Sequence, residues 1–490
     1  MEYLSQLVVE NFKGFGERTE VPLGPITLIF GANSGGKSSL LQSLLLMKQT
    51  EASMRSSGKR TPLLVRGDQT DLGSFRGLIN RHQLERQLTL GLTLSRTGEA
   101  DFAAEVTVSQ PTVESPIQVD RMKTYGEAPS FELIPLPLDH PARARSGSRH
   151  GSARGGAFGP TSPLLYGDVN EYLAWRSEIS GFSDASQPAE VRDSASHRIE
   201  PVFAAFERRG MFNLSIQGLF DANGDRLTAE GDPLEEFLGE ATYGQTRRAM
   251  AESFDDLVGP GRVVGGRVLR LSYLGPLRAM PERLTVLTGE PSDDLGTAGE
   301  NIVALMSRDE NQVRRINNWL QRLEIPYEVR VRQVLDPHVA DTIGEVHSLM
   351  LLDRRSGVEV SATDVGFGIS QILPLIFEAA ANRRSGTLLI EQPEIHLHPA
   401  LQTRLADLFV EMLDRDRQVI LETHSEHMIL RLQRLVRRGR LSPDDVCVLH
   451  VSVDSDGQNV VRLRLNSRGE FIDEWPGGFF DERLEEIFGD

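Results

Sequence analysis

One cysteine, Cys447, stands in 490 residues, which excludes an intramolecular disulfide framework and a cysteine-rich zinc site. Basic residues are the scarcer charge, 53 Lys and Arg against 70 Asp and Glu, for a net charge of −17. A surface that works as a whole as a polycation for DNA or acidic membranes is therefore excluded, although a local basic groove is not. Long apolar runs are missing as well. None approaches the ~18 residues needed to span a bilayer, so no membrane partner is expected. The opening Met1-Glu2-Tyr3-Leu4 has no basic stretch followed by an apolar one, so no secretory signal is expected and the compartment is expected to be the cytoplasm. Internal repeats and sustained heptads are also absent, which leaves no long coiled coil. What is present, 39% hydrophobic and 25% charged residues, suits a globular chain of two to four domains or one elaborated domain.

Residues 4–10 and 26–30 have the Val, Ile and Leu content of short strands. A Gly-rich turn follows, then a helix from Ser38 to Lys48 with leucines at 40, 41, 44 and 45 on one stripe. Residues 88–95 and 102–109 alternate as a hairpin does. Residues 138–165, rich in Gly, Ser, Pro, Arg and His, have little to bury and are expected to form a mobile loop. Residues 168–258 are expected to be mainly helical, with a strand near 212–219. Strands are then expected at 267–274, 327–335 and 347–361, and a helix over 298–322. From 366 onward helix and strand alternate: helix 368–382, strand 386–391, helix 399–415, strand 417–422, helix 425–438, strand 446–452. Such alternation predicts an α/β sheet with helices packed on it.

Four segments carry chemistry. Gly31-Ala32-Asn33-Ser34-Gly35-Gly36-Lys37-Ser38 fits the phosphate-binding loop G-x-x-x-x-G-K-[ST] and lies between a strand and a helix, the context that motif requires. Its glycines let backbone N–H groups curl around phosphate at a helix N-terminus. Lys37 would neutralise the β- and γ-phosphates and the Ser38 hydroxyl would ligate Mg²⁺. The apolar strand Leu388-Leu389-Ile390 ends in Glu391-Gln392-Pro393-Glu394, which would deliver carboxylates to the phosphates. Strand 417–422 ends in Thr423-His424-Ser425, a histidine placed to sense a γ-phosphate. Asp364 to Gln371 sets two glycines and a serine at a helix start, an anion-binding terminus or an ordinary cap.

In this order the four segments resemble the ABC-type ATPases of the OLD (overcoming lysogenization defect) and RecF group, over about 1–80 and 265–430. GANSGGKSS, running through Ser39, is similar to that group's Walker A. Asp364 to Gln371 resembles its signature, LLIEQPEIHLHP its Walker B and D-loop, and ETHSEH its histidine switch. Glu10 to Phe15 resembles its first strand and loop, and Phe471 to Phe488 a C-terminal element of some members. The implied fold is α/β, an ABC-type P-loop head with a large mixed, partly helical insertion between Walker A and signature. The implied division is 1–109 and 265–430 as the two lobes of the head, 110–264 as the insertion and 431–490 as a C-terminal extension.

The resemblance implies ATP and Mg²⁺ as cofactors, with Ser38 and Glu391 at the metal. It also implies a homodimer or higher oligomer in which Gly366, Gly368, Ser370 and Gln371 meet the nucleotide of the other head. The group's strand usually ends Asp-Glu-Pro; here Glu391 keeps a carboxylate, while Gln392 cannot accept a proton from water. Either Glu394 takes that role or hydrolysis is slow. Gln69 is a candidate Q-loop residue, with a plain turn as the alternative. His396 and His398 have too few partners in sequence for a metal site and suit structural or D-loop roles.

Three functions follow. The first is an ATP-driven switch that controls a separate effector, a nuclease or other toxin, in anti-phage defence. Only 60 residues follow position 430, short for a nuclease domain. The second is a DNA-repair ATPase binding nucleic acid directly, through arginines within 143–154 and 434–440. The third, a transporter ATPase, is disfavoured by the 331 residues between Lys37 and Gly368.

Overall fold

The computed structural model describes residues 1–56, 61–96, 101–126, 130–135, 164–168, 203–208, 211–212, 214–220, 255–287, 294–334, 344–381, 385–455 and 457–476. The chain divides into two compact units. The first comprises Met1–Leu4, Pro22–Leu41 and Arg270–Asp490, and the second Ser5–Val21 and Gln42–Leu269.

In chain order the elements begin with β1 (Glu2–Glu10), β2 (Thr19–Pro22), β3 (Ile26–Gly31) and helix α1 (Lys37–Ser56). Next come the short helix α2 (Phe75–Leu78), then β4 (Leu88–Arg96), β5 (Phe102–Ser109), β6 (Gln118–Tyr125), β7 (Phe131–Pro135), β8 (Leu164–Asp168), β9 (Phe203–Arg208), β10 (Leu214–Phe220) and helix α3 (Asp255–Val268). These are followed by β11 (Leu271–Leu274), β12 (Thr285–Leu287), α4 (Ile302–Arg308), α5 (Glu310–Arg322), β13 (Tyr327–Gln333), β14 (Glu345–Asp353), β15 (Glu359–Ser361) and α6 (Phe367–Ala380). The last are β16 (Gly386–Glu391), α7 (Pro399–Leu413), β17 (Arg417–Glu422), α8 (Glu426–Arg437), β18 (Val446–Val453) and β19 (Gln458–Leu463).

The first unit is built on a six-stranded sheet in the order β11-β16-β17-β3-β18-β19. Its first five strands are parallel and β19 runs antiparallel at the edge. Every residue of β3, β16 and β17 is buried; strands covered on both faces carry continuous apolar runs such as Ile26 to Phe30. One core joins Ile26, Leu28 and Phe30 of β3 to Ile372 and Ile376 of α6, Leu405 and Phe409 of α7 and Ile429 and Leu432 of α8. A smaller sheet of β12, β14, β13 and β15 belongs to the same unit. Trp475 packs edge-on against Phe30, with ring centroids 5.6 Å apart, and against Phe471. The Phe479 and Phe480 part of the expected C-terminal element lies outside the described residues.

The second unit holds most of a nine-stranded sheet in the order β10-β9-β8-β7-β6-β5-β4-β1-β2. The sheet continues from β5 to β6 through the expected boundary at 109/110. Within it Glu51 of α1, fully buried, accepts the backbone N–H of Met211 at 2.6 Å and pairs with Arg55.

The α/β class and the alternation from 366 onward stand as expected. Three local expectations are corrected. Of the span expected to be mainly helical, β10 is the strand expected near 212–219, but β9 is a further strand and α3 begins only at Asp255; residues 169–202 and 221–254, like 138–163 of the expected loop, lie outside the described residues. The run 267–274 is split between α3 and β11: Val264 and Val268, four apart and both fully buried, hold the first part to a helical period. The helix over 298–322 is broken at Asp309, whose carboxylate accepts the Gln312 N–H at 3.0 Å and so caps α5.

Candidate functional site

Parallel pairing brings several strand ends to one edge of the six-stranded sheet. Glu391 closes β16 opposite Glu422, which closes β17, and Gly31 closes β3 opposite Val451 of β18. In open α/β sheets this carboxyl edge is where ligands bind. The loop from β3 to α1 turns there on three residues with positive φ: Gly31 at 143°, Ser34 at 64° and Gly36 at 105°. A Cβ on Gly31 would collide with the Val451 carbonyl, and one on Gly36 with the Gln458 amide. Ala32, Asn33 and Ser34 are exposed, whereas Gly35 and Lys37 are buried.

Lys37 opens α1. Its ammonium donates to the carbonyls of Gly31 at 3.0 Å and Ala32 at 2.9 Å, and it stands 3.7 Å from Glu422 Oε1. Burial lowers its pKa, against the opposing pull of Glu422. Ser38 Oγ donates to Glu422 Oε2 at 2.7 Å. Ser39 N–H closes the turn on Gly36 O at 3.0 Å.

Glu391 does not lie on Ser38. Its Oε1 accepts the Tyr273 hydroxyl at 2.8 Å, and the Arg278 guanidinium donates to the backbone carbonyls of Glu391 at 2.9 Å and Gln392 at 3.3 Å. Burial pushes the Glu391 carboxyl up, and the Tyr273 hydrogen bond opposes that shift. Arg278, also buried, is pushed down to about 10. Gln392 has φ 44° and donates its N–H to Glu422 O at 2.8 Å. Glu394 Oε1 accepts the His424 N–H at 2.7 Å, and burial raises this carboxyl as well. Glu394 Oε2 and His424 Nε2 are buried and hydrogen-bond to no described residue. Burial, then the charge of Lys37, lowers the His424 pKa, and the same two causes lower that of His450.

The signature segment is only partly open. Gly366 is exposed, a Cβ there would meet nothing within 4 Å, and Gly368 is half-buried. Ser370 is buried, its hydroxyl 3.7 Å from Met280 Sδ, and Gln371 is wholly buried. Within this single chain α6 turns these two side chains inward. Gly366 and Gly368 instead edge a groove of about 650 Å³ that Ile369, Ile372, Leu397 and Leu401 also line. His398 caps α7 by accepting the Ala400 N–H, a structural role, and Gln69 accepts Lys48 Nζ at 2.9 Å within the second unit.

Sequence reasoning missed Glu422, Tyr273, Arg278, His450 and Gln458. Glu422 had a signal, since it directly precedes Thr423-His424. Tyr273 lies on β11, the strand next to β16, and Arg278 in the loop that follows Gly275-Pro276. Among the described residues no three of His, Cys, Asp and Glu are grouped to hold a metal by themselves. Ser38, Glu422 and Glu391 supply hard oxygen donors of the kind Mg²⁺ takes alongside water and substrate phosphate.

Residues 3–88 and 284–429, just under half of the chain, match the AAA ATPase domain family. Over these residues the chain is similar to ATPase domains, in keeping with the motif resemblance to the OLD and RecF group. An OLD nuclease of Thermus scotoductus is 37% identical over 162 residues, 31% of this chain and 30% of that protein. The chain thus matches under a third of the length of this curated relative. Among solved structures, an Smc head domain from Pyrococcus furiosus bound to the C-terminal domain of ScpA is 13% identical. It covers 99% of this chain and 100% of that one at a TM-score of 0.42. An Smc head with coiled coil and joint from Pyrococcus yayanosii is 11% identical, covers 99% and 100% of the two chains and has a TM-score of 0.41. No helix among the described residues is long and apolar enough to cross a membrane.

Proposed function

We propose that the chain is an ATP-binding and slowly hydrolysing switch, which closes head-to-tail on ATP and controls a separate effector, in anti-phage defence. The observation that carries the nucleotide reading is the junction of β3 and α1. Lys37 and Ser38 open the helix behind two glycines with positive φ, and three carboxylates, Glu391, Glu394 and Glu422, stand at the neighbouring strand ends. The N–H groups of the first turn of α1 would bind phosphate oxygens. Lys37 would leave the carbonyls of Gly31 and Ala32 for the phosphates. Mg²⁺, held by Ser38 with Glu422 or Glu391, would neutralise phosphate charge.

Glu394 is the proton acceptor in this reading. Burial raises its carboxyl towards the working pH of a base, and the His424 N–H fixes one oxygen while the other stays free of described partners. The Gln392 side chain has no basic oxygen to offer, so turnover is slow. Single-turnover hydrolysis tests this: Glu394→Gln abolishes the chemical step and Gln392→Glu speeds it. Fast wild-type hydrolysis that survives Glu394→Gln would remove the assignment.

Head-to-tail closure is supported by the openness of Gly366 beside the groove. A bulky side chain there, Gly366→Arg, is accommodated by the fold and would block closure, as light scattering with and without ATP would show. The effector and defence roles rest on the likeness to the OLD nuclease and on the motif resemblance. Incubation with plasmid, single-stranded DNA and RNA separates them from the direct DNA reading, which the exposed Arg434, Arg437, Arg438 and Arg440 beside α8 favour. ATP-dependent DNA binding by the purified chain would support the latter.

A further inference from the structure

We infer that Glu422 makes ATP binding conditional on a divalent cation: without metal its carboxylate occupies the phosphate-binding side chains, and a cation is needed to convert it from competitor to ligand. The inference rests on the ATP reading above and goes beyond it. Of the two Walker A side chains that would serve the nucleotide, Ser38 is hydrogen-bonded to this carboxylate, and Lys37, bonded to the carbonyls of Gly31 and Ala32, stands within ion-pair distance of it. Ser38 Oγ donates to Oε2 at 2.7 Å, and Lys37 Nζ lies 3.7 Å from Oε1. The pair is shielded from water, with 4% of the Lys37 side chain and 5% of that of Glu422 exposed. Glu422 cannot easily withdraw. It ends a fully buried strand, its own carbonyl accepts the Gln392 N–H, and the next residue, Thr423, donates its N–H to Ile29 O at 3.1 Å.

A triphosphate entering this loop would therefore bring its negative charge beside a fixed, poorly solvated anion and take away that anion's two partners. Removing one partner of a desolvated pair leaves the other charge uncompensated. A divalent cation reverses the balance. Placed between Glu422, the Ser38 hydroxyl and the phosphates, it gives the carboxylate a new counter-charge and frees Lys37. Both donors are hard oxygens, the set Mg²⁺ prefers. Glu391, paired with Tyr273, does not obstruct Lys37 or Ser38 in this way, so the two carboxylates have separate roles.

The test compares ATP affinity by calorimetry in EDTA and in Mg²⁺ for wild type, Glu422→Gln and Glu422→Asp, with Mn²⁺ paramagnetic resonance reporting the cation directly. Wild type is expected to bind ATP about 100-fold more tightly with Mg²⁺ than in EDTA, given the strength of charge-assisted contacts. Glu422→Gln should bind more tightly than wild type in EDTA and more weakly in Mg²⁺, shrinking the ratio to about threefold or less. Glu422→Asp keeps the charge but retracts it, so its EDTA affinity should stay low while its Mg²⁺ affinity and Mn²⁺ signal fall. This variant carries the test should the glutamine form not fold. A Glu422 that merely braces the loop would lower both affinities equally; an unchanged ratio in the variants, with wild type binding ATP normally, overturns the inference alone. Wild type that binds ATP in neither buffer overturns the nucleotide reading and this inference with it.

Discussion

The Tyr273 hydroxyl donates to Glu391 Oε1 across 2.8 Å, from a strand whose register pairs Leu274 with Ile390. The carboxylate that sequence motifs assign to the metal is thus held by a phenol one strand away. The hydrogen bond opposes the upward shift that burial imposes on Glu391. Tyr273→Phe should raise the Glu391 carboxyl further, so that its infrared C=O band persists to higher pH than in wild type. A band that titrates unchanged would show that the bond does not set the charge of Glu391.

Glu394 gives a pH dependence whose sign is fixed. Its folded pKa is raised above the ordinary 4.5, so the folded state holds the proton more tightly than the unfolded chain. The stability this contributes is full below the ordinary value and is lost as pH rises through the folded one. Glu394→Gln removes that loss. Its melting temperature relative to wild type should climb between about pH 4 and pH 8, and a constant or falling difference would contradict the shift.

Arg417 and Glu378, each with 2% of its side chain exposed, form an ion pair at 2.8 Å. Arg417→Met leaves a buried carboxylate alone and should cost about 3–5 kcal/mol, while the double variant with Glu378→Leu should recover most of it. Denaturant unfolding of the two variants checks this; equal losses would mean that the pair is not the cause.

Gly36→Ala meets both a φ of 105° and the Gln458 amide. Backbone strain of this kind costs about 1–3 kcal/mol. Adding Gln458→Ala should relieve only the collision, so the double variant should melt between Gly36→Ala and wild type. Full recovery in the double variant would show that the backbone conformation is not limiting.

β3, β16 and β17 of the first unit were legible because each is a fully buried run bounded by turn residues. Strand 386–391 and strand 417–422 matched to the residue. Periodicity does not report long-range pairing, which is why β9, with the helix-compatible sequence FAAFER, was missed. At the site, the loop Gly31 to Ser38 and the acidic turn at 391–394 were visible because a motif fixes local spacing. The contact of Ser38 with Glu422 spans 384 residues, and only the β17–β3 pairing brings them together. The burial of Ser370 and Gln371 was hidden for a related reason: a motif names residues but not the face of α6 that turns inward.

Calorimetric titration of ATP with Mg²⁺ into wild type and Lys37→Ala tests the nucleotide site most directly. Lys37 is the one ammonium that the loop holds at the start of α1, buried and bonded to the carbonyls of Gly31 and Ala32. Wild type should bind ATP, and Lys37→Ala, still folded by its melting curve, should lose about 100-fold or more in affinity, about 2.7 kcal/mol. Affinity in Lys37→Ala within about threefold of wild type, under 1 kcal/mol, would mean that ATP does not bind at this loop.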